Sequence, residues 1–173
     1  MSKFLIGCLI SLMFILESIF LELLPANVYD KNWIVVPYFL FITILFFSIY
    51  GSRNVGIIYG FVFGLLFDIV YTEILGIYFF AFPFIIYICN KIMKAFHQNV
   101  FVVSVVSLLG ITALEIIVYE IIKVIHLTTM DFSSFLYLRL IPTLLLNLIF
   151  IVIVAYPYKR YFEKYAQTMR DNF

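Results

Sequence analysis

The sequence predicts an all-α integral membrane protein of six transmembrane helices. Of its 173 residues, 65% are hydrophobic and 12% are charged, with a mean hydropathy of +1.14. Soluble domains carry roughly 25% charged and 45–50% apolar residues, so the surplus Leu, Ile, Phe and Val here must face lipid. The apolar residues also fall into six runs near the ~20 residues that a helix needs to cross the hydrocarbon core. Finally, the basic residues sort to one side of the bilayer only if the chain crosses an even number of times.

The first run, Phe4 to Leu24, follows Lys3 in the manner of a signal peptide. It contains Glu17 and Glu22, however, and is followed by Pro25 and Asn27 instead of a small-residue cleavage site, so it reads as the first span. Trp33 to Tyr50 forms the second span. The stretch from Val55 to Asn90 is long enough for two crossings and is broken by Asp68, Tyr71, Glu73 and Gly76. Those residues suit an outer turn between span 3 (Val55–Val70) and span 4 (Ile74–Asn90). Val100–Ile122 and Leu136–Tyr156 supply spans 5 and 6. Backbone groups in lipid must be satisfied within their own segment, and these runs lack the alternation of barrel strands, so they read as helices.

Residues 1–156 thus form a six-helix transmembrane domain, and residues 157–173 a cytoplasmic tail. The tail places Tyr158, Tyr161, Phe162, Tyr165 and Met169 at helical spacing, with Lys159, Arg160, Lys164 and Arg170 on the other faces. That pattern predicts an interfacial helix on an anionic inner leaflet. With both termini inside, the inner segments hold Lys3, Arg53, Lys91, Lys94, Lys159, Arg160, Lys164 and Arg170, and the outer ones only Lys31, Lys123 and Arg139. An odd number of spans would put one of the basic clusters on the wrong side.

Span 3 carries Gly56, Gly60, Gly64 and Asp68 at intervals of four, followed by Gly76. Each step of four turns a helix by about 400°, so the marked face drifts slowly around the axis. Small residues spaced in this way let backbones approach closely where lipid supplies little hydrophobic drive. They serve either packing within the chain or a homodimer or partner face.

Ionisable groups at membrane depth are costly and are paired or functional. Glu17, Asp68, Glu115 and Arg139 fall at similar depth toward the outer side, with Asn147 in the middle of span 6. An Arg among several carboxylates can act as the forked donor of a satisfied network. Such a cluster either fixes helix register, or contacts a partner's membrane helix, or lines a small-ligand or proton path. Asn147 reads as an interhelical hydrogen-bond donor. Pro83 and Pro142 each remove a backbone bond and should bend spans 4 and 6.

Catalytic and cofactor signatures are missing from the sequence. It has no Gly-x-Ser-x-Gly elbow, no P-loop or dinucleotide fingerprint and no second intramembrane Asp beside Asp68. His97 and His126 have no companions at ligand spacing, so no metal site is expected, and Cys8 and Cys89 read as small lipid-facing or core residues. A net charge of +1 gives no basic face for nucleic acid. Enzyme is the class with least support, and no cofactor is expected.

Three segments resemble the bacterial rod shape-determining MreD family: Ile15-Leu16-Glu17-Ser18-Ile19-Phe20, the central Tyr59–Asp68 with Tyr71-Thr72 and Leu75–Tyr78, and Arg139–Asn147 in the last span. The resemblance covers nearly the whole chain. It implies a non-enzymatic component of the bacterial cell-elongation (rod) machinery that builds lateral wall peptidoglycan, located in the cell membrane. The implied partners are MreC, RodA with its class B penicillin-binding transpeptidase, and indirectly MreB. The family also resembles in fold the substrate-binding subunits of energy-coupling-factor transporters, which makes a vitamin-binding subunit the alternative expectation.

Overall fold

The computed structural model describes residues 3–23, 33–72, 74–96 and 99–171. Pro25, Asn27, Lys31, Glu73 and His97 lie outside the described residues. The order is α1 (Lys3–Leu23), α2 (Phe39–Tyr50), α3 (Arg53–Tyr71), α4 (Ile77–Met93), α5 (Val100–Val124) and α6 (Phe132–Phe135), then a π-helical turn (Leu136–Leu140) leading into α7 (Ile141–Asp171). Four helical stretches, Phe4–Leu23, Arg53–Tyr71, Val100–Val124 and Phe132–Met169, are long and apolar enough to cross a membrane, and α2 and α4 are shorter apolar helices.

The centre of the bundle is α2. All twelve of its residues are buried, and it touches α1, α3, α4, α5 and α7. A helix that is apolar all round belongs inside a protein or in lipid, and here its neighbours supply the apolar surroundings. The outer helices turn large apolar side chains outward, among them Phe4, Phe80, Phe101 and Val152. Only 17% of α1's most apolar window is buried, so it is the most exposed wall of the bundle. Exposed apolar surface on this scale suits lipid and not water.

The second span departs from expectation. Residues 33–38 are non-helical, and the helix begins only at Phe39. The cause lies in Ile34-Val35-Val36-Pro37: proline pushes the residue before it out of the α region, and β-branched side chains favour extended backbone.

The last span also departs from its expected limits. Pro157 lies inside α7, which continues unbroken to Asp171, so no helix break marks the expected boundary at residue 157. Nor does the aromatic stripe of the tail face outward. Tyr158, Phe162 and Tyr165 are buried, with Phe162 and Tyr165 packed edge-on against Phe47 of α2 and the Tyr158 hydroxyl 3.0 Å from Thr43 Oγ1. The tail is an extension of the core, because α2 offers an apolar face on which the aromatic stripe can bury.

Just outside the spans, Asp131 caps α6. Its carboxylate accepts from the Ser134 hydroxyl at 2.6 Å and the Ser134 N–H at 3.3 Å, and these bonds hold it below the usual carboxylate range.

Candidate functional site

The extended segment sets the central problem of the fold. Non-helical backbone inside an apolar bundle needs partners for its N–H and C=O groups, and at membrane depth it is tolerated only where protein supplies them. Alternate residues of an extended chain face the same way, and Ile34, Val36 and Tyr38 all turn their N–H groups toward the last helix. Ile34 N–H donates to Leu138 O at 2.7 Å, Val36 N–H to Thr143 Oγ1 at 3.1 Å, and Tyr38 N–H to Asn147 Oδ1 at 2.8 Å. Asn147 Nδ2 returns a bond to Val36 O at 2.9 Å. Pro37, between them, has no N–H to satisfy.

The π turn brings these three acceptors into line. Thr143 and Asn147 are four apart and share a helix face, whereas Leu138 and Thr143 are five apart. In the π turn the Ile141 N–H bonds Leu136 O, five residues back, and the wider turn puts Leu138 onto the same face. Pro142 sits directly after the turn. Its missing N–H would have bonded Leu138 O in an α-helix, the carbonyl that accepts from Ile34. The irregularity expected at Pro142 is therefore a widened turn beside the proline that serves the extended segment.

The expected group of three carboxylates around Arg139 is divided. Arg139 Nε bonds Glu115 Oε2 at 2.7 Å, with Glu115 wholly buried and Arg139 largely so. Glu17 and Asp68 instead serve helix N-termini, where the first N–H groups lack intrahelical acceptors and the helix dipole favours a carboxylate. Glu17 Oε2 accepts from Leu40 N–H at 2.9 Å, in the first turn of α2. Asp68 accepts from Gly76 N–H at 2.8 Å, Tyr78 N–H at 2.9 Å and Phe79 N–H at 3.0 Å, which closes the turn into α4.

Two tyrosines that the sequence did not single out join these parts. Tyr38 Oη donates to Glu115 Oε1 at 2.8 Å and lies 3.3 Å from Tyr78 Oη, while Tyr78 N–H is bonded to Asp68. Since Tyr38 N–H is also held by Asn147, one connected network runs from Asp68 through Tyr78 and Tyr38 to Glu115 and Arg139, with a branch to Asn147. Glu17 stands beside it, two residues along α2. Pro37, a buried-phenol position at Tyr38 and a hydroxyl four residues before Asn147 were the available signals for the residues missed.

The glycines of α3 are occupied within the chain. A Cβ on Gly56 would collide with Ser48 of α2, one on Gly60 would come within 2.9 Å of Ile86 Cδ1 and 3.3 Å of Pro83 Cα, and one on Gly64 would lie 2.5 Å from Tyr78 O. The marked face thus drifts from α2 onto α4, as a four-residue interval dictates. Pro83 fits this arrangement, since its N, 3.3 Å from the Gly60 position, carries no hydrogen to clash. Of the two roles expected of Gly76, packing and turn, it takes the turn. It takes φ +113° at the start of α4, where only a distant Phe80 ring atom would meet a Cβ, so it is a turn residue that Asp68 caps. Cys89 is buried in the core and Cys8 is exposed on α1. Among the described residues, no three metal-ligating side chains come together.

Fold and site together define an apolar helical bundle in which most buried polar side chains bond its own backbone or one another, while Glu17 Oε1, Tyr50 Oη and Arg53 Nε are buried without a hydrogen-bond partner among the described residues. The chain belongs to the rod shape-determining protein MreD family, whose family model matches residues 2–165. The rod shape-determining protein MreD of Bacillus subtilis is 35% identical over 172 residues, covering 99% of this chain and 100% of that protein. The cell shape-determining protein MreD of Streptococcus pneumoniae is 25% identical over 125 residues, covering 72% of this chain and 76% of that protein. No solved structure matches the chain.

Proposed function

We propose that this protein is a non-catalytic membrane scaffold of the bacterial cell-elongation complex. In this reading it supports cell shape and lateral peptidoglycan synthesis by binding MreC, with RodA and its class B transpeptidase as further membrane partners and MreB reached indirectly. It crosses the cell membrane six times with both termini in the cytoplasm. The observation that carries the reading is near-full-length kinship to proteins named for rod and cell shape determination.

The use of the polar groups supports the non-catalytic part. Glu17, Asp68 and Asn147 bond backbone, while Glu115 pairs with Arg139 and Tyr38. A catalytic carboxylate needs room for a reacting atom beside it; Asp68 and Glu115 have both oxygens bonded within the chain, and Glu17 has one, its Oε1 being buried without a hydrogen-bond partner among the described residues. The vitamin-binding alternative wants polar groups opening into a cavity. A groove of about 590 Å³ is walled instead by apolar side chains such as Ile57, Phe61, Phe84 and Ile117, and none of Glu17, Asp68, Glu115 and Arg139 lines it.

The test is copurification of the full chain with MreC in mild detergent. MreC retained through purification is the expected result. A folded, monodisperse protein that holds no MreC overturns the scaffold reading, and a copurifying vitamin replaces it with the transporter one. Substitutions at Gly60 or Gly64 are unsuited to this test, because those residues support α4 and their loss would disturb the bundle itself.

A further inference from the structure

Where α2 ends and α3 begins, a cleft of about 210 Å³ is lined by Ser48, Gly51, Arg53, Asn90 and Lys94, among others. Ser48 and Asn90 satisfy each other, with Asn90 Nδ2 donating to Ser48 Oγ at 2.7 Å. The two cations are not satisfied in this way. Among the described residues the ion pairs are Arg139–Glu115 and Lys159–Glu163, and neither involves Arg53 or Lys94. Arg53 Nε is buried without a hydrogen-bond partner. A buried guanidinium N–H without an acceptor is costly, and the planar fork of Arg matches phosphate oxygens.

Arg53 is also held in place. Its guanidinium lies 4.8 Å over the ring of Tyr87, and Tyr87 in turn lines the 590 Å³ apolar groove between α3, α4 and α5. The groove runs beside α4 from Gly76 to Tyr87, about 16 Å at helical rise, or roughly half of the ~30 Å hydrocarbon core. The Arg53–Tyr87 pair therefore joins a cationic cleft at the end of the bundle to the near end of a lipid-facing hydrocarbon slot, whose far end at Gly76 lies about 27 Å from Lys94 at helical rise.

We propose that this is a binding site for a single phospholipid with a negatively charged headgroup. The headgroup phosphate lies between Arg53 and Lys94, and one acyl chain lies in the near half of the groove, against Ile57, Phe61 and Phe84. Charge complementarity selects the occupant, because two cations without acidic partners face the cleft. A free phosphate would leave the groove unused.

The full-length protein can be reconstituted in vesicles of equal phosphatidylcholine and phosphatidylglycerol, and the lipids it retains measured by native mass spectrometry. Wild-type protein is expected to retain phosphatidylglycerol in preference to phosphatidylcholine. Arg53→Gln and Lys94→Gln should each lower that preference about fivefold, the share of one cation near an anionic surface. Ile57→Trp should lower total lipid retention by narrowing the near end of the slot while both charges remain. Lys94 is exposed, so its substitution leaves the fold intact and keeps the test valid if Arg53→Gln unfolds. Equal retention of the two lipids by wild-type protein overturns the proposal, as does unchanged preference in Lys94→Gln or unchanged retention in Ile57→Trp. Full displacement of phosphatidylglycerol by millimolar inorganic phosphate would also overturn it, leaving a phosphate cleft without a lipid.

Discussion

Asn147 makes three hydrogen bonds with one side chain. Oδ1 accepts from Tyr38 N–H, and Nδ2 donates to Val36 O and to Thr143 O at 2.8 Å. No apolar residue of similar volume can serve both a backbone donor and a backbone acceptor. Asn147→Leu strands the Tyr38 N–H and the Val36 C=O, at about 1–3 kcal/mol for each buried group left unpaired. A drop in the thermal unfolding midpoint in detergent is expected, with Asn147→Asp, which keeps the acceptor and loses the donor, falling between. Unfolding of Asn147→Leu at the wild-type temperature would show the clamp to be idle. A similar asymmetry governs Glu115 and Arg139. Arg139→Ala leaves a wholly buried carboxyl without its cation, at about 3–5 kcal/mol. The double variant Glu115→Gln/Arg139→Gln removes both charges and should recover much of that loss in the same assay. If the double variant is as unstable as the single one, the pair is not what holds α5 to the last helix.

At the scale of elements, the glycines of α3 separate two reasons for lacking a side chain. Gly64 is required by space, since a Cβ would lie 2.5 Å from Tyr78 O and 2.9 Å from Tyr78 C, and backbone atoms cannot swing aside. Gly64→Ala should cost about 1–3 kcal/mol as overpacking by forcing α3 away from α4. Gly76 is required by conformation, so Gly76→Ala should cost about 1–2 kcal/mol for the left-handed backbone while the α3–α4 contact survives. Gly7 is required by neither, with its nearest neighbour, Tyr59 Oη, at 3.6 Å, and Gly7→Ala should leave the unfolding midpoint unchanged. A cysteine crosslink between α3 and α4 that still forms efficiently in Gly64→Ala would rule out the proposed displacement.

The same elements show what was legible in the sequence and why. Intervals of four among Gly56, Gly60 and Gly64 signalled close helix packing, because helical geometry alone fixes which residues share a face. Which helix they pack on depended on the tertiary fold. The start of α2 was misread because Trp33–Tyr38 is as apolar as a helix, and hydropathy outweighed the Val36-Pro37 signal. The sequence groups all three carboxylates with Arg139, whereas only Glu115 pairs with it and Glu17 and Asp68 bond backbone. Their recipients, the N–H groups of α2 and α4, become visible only once helix starts are known to one residue. Tyr38 and Tyr78 were missed because a phenol reads as apolar until an acceptor is placed beside it.

The extended segment bears on the path of the whole chain. As a helix, α2 covers only about 18 Å at 1.5 Å per residue, too short for a hydrocarbon core of ~30 Å. The six non-helical residues before it can add up to about 20 Å, and because Leu138, Thr143 and Asn147 accept from the N–H groups of Ile34, Val36 and Tyr38, they can do so inside the membrane. Entry segment and short helix together are long enough to cross. Seventeen residues of α4 stand at the lower limit for a crossing, and the remaining four candidates have length to spare. Six crossings are then sterically open, and the division of Lys and Arg favours this count over an odd one. Reporter fusions at the two chain ends should therefore both register as cytoplasmic, and one placed in the turn at residues 74–76 should register outside. Opposite sides for the two ends would mean that α2 enters and leaves by the same face, with Asn147 and Thr143 serving a re-entrant loop instead of a crossing.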